Sequence, residues 1–199
     1  MRTEVVIEKF RETGALLEGH FILSSGLHSP IYLQCALVLQ HPRQAEEFGR
    51  GIAEHFRGEN IETVAAPAIG GIVIGHEVAR ALGARFVWTE RENGEMTLRR
   101  GFSISPGEKI LVVEDVVTTG GSTLETVEAL QAAGGNVVGA ASIIDRSSGK
   151  ANVGVPRIAL ATLDIPSVKP AVCDACKRGE PVAKPGSRKR RQKAEGSKQ

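Results

Sequence analysis

The run Lys109-Ile110-Leu111-Val112-Val113-Glu114-Asp115-Val116-Val117, followed at once by Thr118-Thr119-Gly120-Gly121-Ser122-Thr123, constrains the fold more than any other stretch of this chain. A strand apolar at consecutive positions, rather than at alternate ones, must be covered on both faces, as in a parallel sheet between layers of helices. The Gly-rich turn and the segment "STLETVEALQAAGG" after it read as a helix fed directly by that strand, with Ser122 or Thr123 as its cap.

The same unit recurs along the chain. Thr3 is placed to cap a first helix that turns Val6, Phe10 and Leu17 inward. "HFILSSGLHSPIYLQ" reads as two short strands about Ser24-Ser25-Gly26, with Pro30 kept to an edge or strand start. Pro42 suits the first position of a helix carrying Ala45, Phe48, Ile52 and Phe56 on one face. "TVAAPAIGG" is a strand entering a loop, "GIVIGHEVARALG" a helix stopped by Gly83, and "ARFVWTE", "NVVGAASIID" and "RIALATLDI" are further strands. The fold class is therefore α/β, a mainly parallel twisted sheet flanked by helices.

Ligands of such sheets sit beyond the carboxyl ends of the strands, where loops meet helix N-termini. Backbone N–H groups of Thr118 to Ser122, their hydroxyls and the positive end of the following helix suit a phosphate monoester. Glu114 and Asp115 would repel a phosphate, but they suit the hydroxyls of a sugar or a nearby metal. Acids followed by an anion cradle thus describe a ribose 5-phosphate. The P-loop Lys before Ser122 is missing, and so is a Gly-x-Gly-x-x-Gly fingerprint, which argues against the common alternatives.

With these residues in view, "ILVVEDVVTTGGS" resembles the phosphoribosyl pyrophosphate (PRPP) signature of the type I phosphoribosyltransferases. "GHFILSSGLHSPIYLQ" is similar to the small N-terminal hood of the orotate phosphoribosyltransferases, and "APAIGGI" to their pyrophosphate loop. The resemblance implies PRPP contacts from Glu114, Asp115, Val116, Val117, Thr118, Thr119, Gly120, Gly121, Ser122 and Arg91, and pyrophosphate contacts from Pro67, Ala68, Ile69, Gly70 and Gly71. It places orotate against Thr118, Arg146, Tyr32 and Leu33; a guanidinium grips a carboxylate bidentately, as Lys cannot. It further implies magnesium carried by PRPP without direct protein ligands, a homodimer with active sites near its interface, and synthesis of orotidine 5′-monophosphate for pyrimidine nucleotides.

Departures from the family pattern concern cations. The hood Lys is replaced by Ser24 and the pyrophosphate-loop Lys by Gly70, while the catalytic loop is the shorter "TERENGEMTLRRGF" of a bacterial subclass. Arg91, Arg99 and Arg100 are the candidates to serve in their place, with Glu90, Glu92 and Glu95 at hand to pair with them on a solvated loop.

Two features fall outside this scheme. Cys173 and Cys176 form a single Cys-x-x-Cys, half of a zinc site at best, and no second such pair exists; the histidines His20, His28, His41, His55 and His76 show no ligand spacing, so the thiols read as incidental. From Lys184 to Gln199 seven Lys and Arg stand against one Glu, which reads as a disordered basic tail on a mildly acidic body. The expected organisation is one phosphoribosyltransferase domain over 1–183, hood about 1–40 and core about 41–170, with the tail over 184–199. The absence of a long apolar run and of a disulfide framework suggests the cytoplasm, with no membrane partner. A purine phosphoribosyltransferase and a nucleotide-sensing regulator touching nucleic acid through the tail remain as alternatives, the latter disfavoured because the tail lies outside the folded body.

Overall fold

A computed structural model describes residues 1–23 and 25–185; Ser24, and with it the hood position lacking Lys, lies outside the described residues, as does the basic tail from 186 onward. The chain divides into two compact units, one of Met1–Leu17 and Leu33–Ile165, the other of Glu18–Tyr32 together with the chain from Pro166. This differs from the expected split at about 40. Helix α1 (Thr3–Glu12) belongs with the larger unit because it buries Val6 and Phe10 there, the Phe10 ring lying 6.1 Å from that of Phe48.

The larger unit is built on a six-stranded sheet. Its strands are β3 (Thr63–Pro67), β4 (Arg85–Glu92), β5 (Glu95–Leu98), β6 (Lys109–Val117), β7 (Asn136–Asp145) and β8 (Arg157–Thr162), in the order β5-β4-β3-β6-β7-β8. All pairings are parallel except β4 with β5. The doubly covered strand is β6, where Ile110, Leu111, Val112 and Val113 are all fully buried. Ile110 and Val112 join Val127 and Leu130 of α5 (Gly121–Ala132) in one cluster, and Leu111 and Val113 face the other way by strand alternation. Truncating such a residue to Ala costs about 2–5 kcal/mol.

Close backbone approach sets the helices α3 (Pro42–Ala53) and α4 (Gly71–Leu82). A Cβ at Gly49 would meet the Glu77 backbone at 2.8 Å, and one at Gly75 would meet the Phe86 ring at 2.5 Å, so glycine lets α4 settle against both α3 and β4. Pro42 opens α3 as expected, and Gly83 ends α4 at φ 69°.

Three local expectations are corrected. Arg2, not Thr3, is the cap of α1; the Thr3 hydroxyl donates to the Leu160 carbonyl at 3.5 Å, and Leu17 lies in a strand. Gly120, at φ 83°, caps α5 in place of Ser122 or Thr123. The segment read as a catalytic loop is a β4–β5 hairpin, turned by Asn93 at φ 51° and Gly94 at φ 95°, a dipeptide suited to two-residue turns.

In the smaller unit, β1 (Leu16–Ile22) and β2 (His28–Leu33) form the expected hairpin, both strands running across the unit boundary. The C-terminal segment brackets it, Phe21 bridging Ala183 and His28 bridging Val168. Against the reading of scattered histidines and incidental thiols, His20 and His28 converge with Cys173 and Cys176. Among the described residues no helix is long and apolar enough to cross a membrane.

Candidate active site

The site forms where β3 and β6, adjacent and parallel, end side by side and their chains turn into α4 and α5. Glycine at the start of α4 allows the two turns to meet. A Cβ on Gly70 would lie 3.0 Å from either Asp115 carboxylate oxygen, and one on Gly71 would lie 3.2 Å from Glu114 Oε1 and 2.9 Å from the Val113 carbonyl. Two motifs more than forty residues apart in sequence are thereby in van der Waals contact.

Within Pro67–Gly71 the N–H groups are unequal. Pro67 has none, and that of Ala68 donates to the Thr89 carbonyl at 2.8 Å. Ile69, Gly70 and Gly71 enter α4, where first-turn N–H groups have no intrahelical acceptor; Ile69 and Gly70 are exposed, Gly71 is buried, and Ile69, 84% exposed, follows a cis peptide bond from Ala68.

Of the two acids, Glu114 is the buried one. Burial first, then the neighbouring charge of Asp115 and a hydrogen bond with it, hold the Glu114 carboxyl well above its ordinary value. Asp115 is half-buried, and Val116 N–H donates to its Oδ1 at 2.8 Å. Behind them Cys35, first residue of α2 (Cys35–Leu39), is buried beside Asp115; burial and then the two carboxylates push its thiol up, so it stays an S–H donor. Sequence reasoning missed Cys35, since no local signal ties a residue after β2 to the end of β6.

Beyond the acids, Val117 is buried, Thr118 and Thr119 are exposed, and Gly120 reverses the chain. Gly120 meets two demands, its positive φ and the crowding that puts a Cβ 3.0 Å from Val153 and 3.2 Å from the Asn152 carbonyl. No side chain caps α5, so the first-turn N–H groups around Gly121 and Ser122 face outward beneath the positive helix end. Arg146 follows β7 immediately, and its backbone N–H donates to the Val117 carbonyl at 2.8 Å, fixing it beside the start of the turn. Its neighbour Asp145 accepts from Ser147 N–H and hydroxyl, Gly149 N–H and Arg157.

The remaining candidates are carried by other elements. Leu33 is buried at the end of β2, while Tyr32 belongs to the smaller unit, its ring 5.8 Å from that of Phe21. On the hairpin, Arg91 engages Glu125, Arg99 lies 3.2 Å from Glu92, and Arg100 lies 2.9 Å from Glu90. The pairing weighed for a solvated loop is present for Glu90 and Glu92.

Comparison with known proteins agrees with this geometry. The phosphoribosyl transferase domain family matches residues 36–157. An orotate phosphoribosyltransferase of Pelotomaculum thermopropionicum is 54% identical, over 95% of this chain and 100% of its own length. One from Desulforamulus reducens is 52% identical, over 94% and 98%. Among solved structures, the Mycobacterium tuberculosis H37Rv orotate phosphoribosyltransferase superposes with a TM-score of 0.65 at 26% identity, covering 80% of this chain and 94% of that one. With relatives this similar over nearly its whole length, the chain belongs to the orotate phosphoribosyltransferase family.

Proposed function

We propose that this chain transfers the 5-phosphoribosyl group of PRPP to N1 of orotate, giving orotidine 5′-monophosphate and pyrophosphate in pyrimidine nucleotide synthesis. The observation that carries the reading is the closure of Gly70 and Gly71 onto Asp115 and Glu114 beside the uncapped turn 118–122. In that assignment the turn takes the 5-phosphate, the two acids take the ribose hydroxyls, and the N–H groups of Ile69, Gly70 and Gly71 take the pyrophosphate. Arg146 and Thr118 take the orotate carboxylate side, and Leu33 is the candidate for the pyrimidine within the same unit.

Bond breaking at C1 builds positive charge on the ribose and negative charge on the leaving group. The acids are suited to the first and the loop N–H groups to the second, so rate enhancement rests on placement and preorganised charge. Glu114 and Asp115 offer only oxygen acceptors, which would suit the ribose hydroxyls and the water shell of a hard divalent cation held by PRPP itself. Magnesium bound with PRPP supplies charge for the departing pyrophosphate. Arg99 and Arg100 would add cationic charge from a second subunit of a homodimer.

The test follows orotate absorbance with PRPP and magnesium, beside adenine, hypoxanthine and xanthine. Consumption of orotate alone is expected, and abolished by Arg146→Ala; turnover with a purine alone would overturn the base assignment.

A further inference from the structure

We infer that His20, His28, Cys173 and Cys176 bind one zinc ion in a closed four-ligand site of the smaller unit. The inference is independent of the PRPP site, and it begins from convergence. Cys176 Sγ lies 3.3 Å from His28 Nδ1 and 3.6 Å from His20 Nε2, and Cys173 Sγ lies 3.5 Å from His20 Nε2. Tetrahedral zinc, at about 2.0–2.1 Å from nitrogen and about 2.3 Å from sulfur, sets neighbouring donors roughly 3.3–3.8 Å apart. The three nitrogen–sulfur separations fall on that edge length. The two ring nitrogens, at 2.7 Å, need only a small opening, and all four donor atoms lie within 4.8 Å of one another.

The surroundings orient these donors. His20 Nδ1 lies 3.0 Å from the Glu180 carbonyl, which can only accept, so Nδ1 carries the proton and Nε2 presents its lone pair to the cluster. Lys177 N–H donates to the Cys173 carbonyl at 3.1 Å, closing the turn of α6 (Asp174–Lys177) that brings both sulfurs to one side. The histidine backbones are tied to the segment that carries the cysteines: Ala183 N–H donates to His20 at 2.8 Å, and His28 exchanges bonds with Val168 at 2.8 and 2.9 Å. Backbone pairing thus ties both histidines to the segment that carries both cysteines.

Burial gives the cluster a purpose. Among the described residues of this unit the buried ones are His20, Phe21, His28, Ser29 and Cys173, so three of the five are proposed ligands. A unit with so little aliphatic interior needs another source of cohesion, and a metal cross-link supplies it. Two thiolates neutralise the ion and two neutral imidazoles complete the shell, leaving no open position for catalysis. Nitrogen and sulfur donors also separate this ion from the magnesium of the reaction, which prefers oxygen.

The test uses the full chain, reduced and freed of metal by chelation, titrated with Co(II) as a coloured probe and then with Zn(II). The expected result is one equivalent of cobalt with tetrahedral and thiolate-to-metal absorption bands, displaced by one equivalent of zinc, and a melting temperature that falls on chelation and recovers with zinc. Cys176→Ser, at the exposed ligand, is expected to weaken zinc binding roughly 100-fold or more. Absence of those bands in the reduced wild-type chain would overturn the inference, as would full uptake by a Cys173→Ser/Cys176→Ser variant.

Discussion

A methyl group placed on Gly70 would lie 3.0 Å from both carboxylate oxygens of Asp115, so the loop after β3 and the acidic end of β6 are closed on each other with only a hydrogen between them. Neither side has slack, because Asp115 is held by Val116 N–H at 2.8 Å.

Gly70→Ala therefore pushes the loop or the carboxylate away from its position. The loop is exposed at Ile69, so the fold loses little. We expect kcat/KM for PRPP to fall about tenfold, near 1.4 kcal/mol of transition-state stabilisation, with the melting temperature nearly unchanged. Initial rates over a PRPP series, beside a thermal melt, check both halves.

Glu114→Gln should move activity and stability in opposite directions. A carboxyl whose folded pKa is raised binds its proton more tightly when folded, so its stabilisation is full at low pH and lost as pH rises through the folded value. Removing the acid spares the ligand-free protein that loss, and its melting temperature at neutral pH should equal or exceed the wild type's, with the gap widening as pH rises. Turnover should fall on the order of 100-fold, since a hydroxyl partner is lost. A variant that melts lower at pH 8 than at pH 5, relative to wild type, would contradict the argument.

These residues also show what the sequence could and could not say. Strand and helix identities in the larger unit follow from apolar runs and from Pro42 and Gly83, whose preferences are local. The acids and the Gly-rich turn are contiguous, so the strand-turn-helix junction they form was legible before the fold. Long-range partners were not. Cys35 beneath Asp115, and His20 and His28 beside Cys173 and Cys176, are brought together by topology, which leaves no local spacing to read. Likewise Gly120 displaced Ser122 as the cap because the crowding by Val153 and Asn152 is tertiary, and the β4–β5 hairpin was hidden in a charged segment lacking β-branched density.

Asp145 gives a pH dependence of the other sign. Burial alone would raise its pKa, but hydrogen bonds from Ser147, Gly149 and Arg157 outweigh it and hold the carboxyl below its ordinary value. Its contribution is full above the ordinary carboxylate range and lost as pH falls through the folded value. Asp145→Asn should cost about 3 kcal/mol near neutrality, as expected when a buried ion pair loses one member, and should flatten the acid limb of stability against pH. Denaturant melts from pH 7 downward measure this; parallel acid limbs would remove Asp145 as their source.

The arginines of the hairpin separate structural from catalytic charge. Arg99 and Arg100 share the half-buried Glu90, and Arg99 also meets Glu92, the arginines and Glu92 being exposed. Solvent screens such pairs and they contribute little, so alanine at either position should shift the melting temperature by no more than a few degrees. If their positive charge serves the departing pyrophosphate, kcat falls at least about tenfold despite that stability. Whether it acts within a chain or across a dimer is decided by mixing. Co-refolding an Arg99→Ala/Arg100→Ala chain with a Glu114→Gln chain places, in each mixed dimer, one site with intact acids opposite a chain with intact arginines. Recovery of activity above either parent is the expected outcome, because charge supplied across the interface makes that one site complete. Mixtures no more active than their parents would confine the arginines to their own subunit's site or remove them from the reaction.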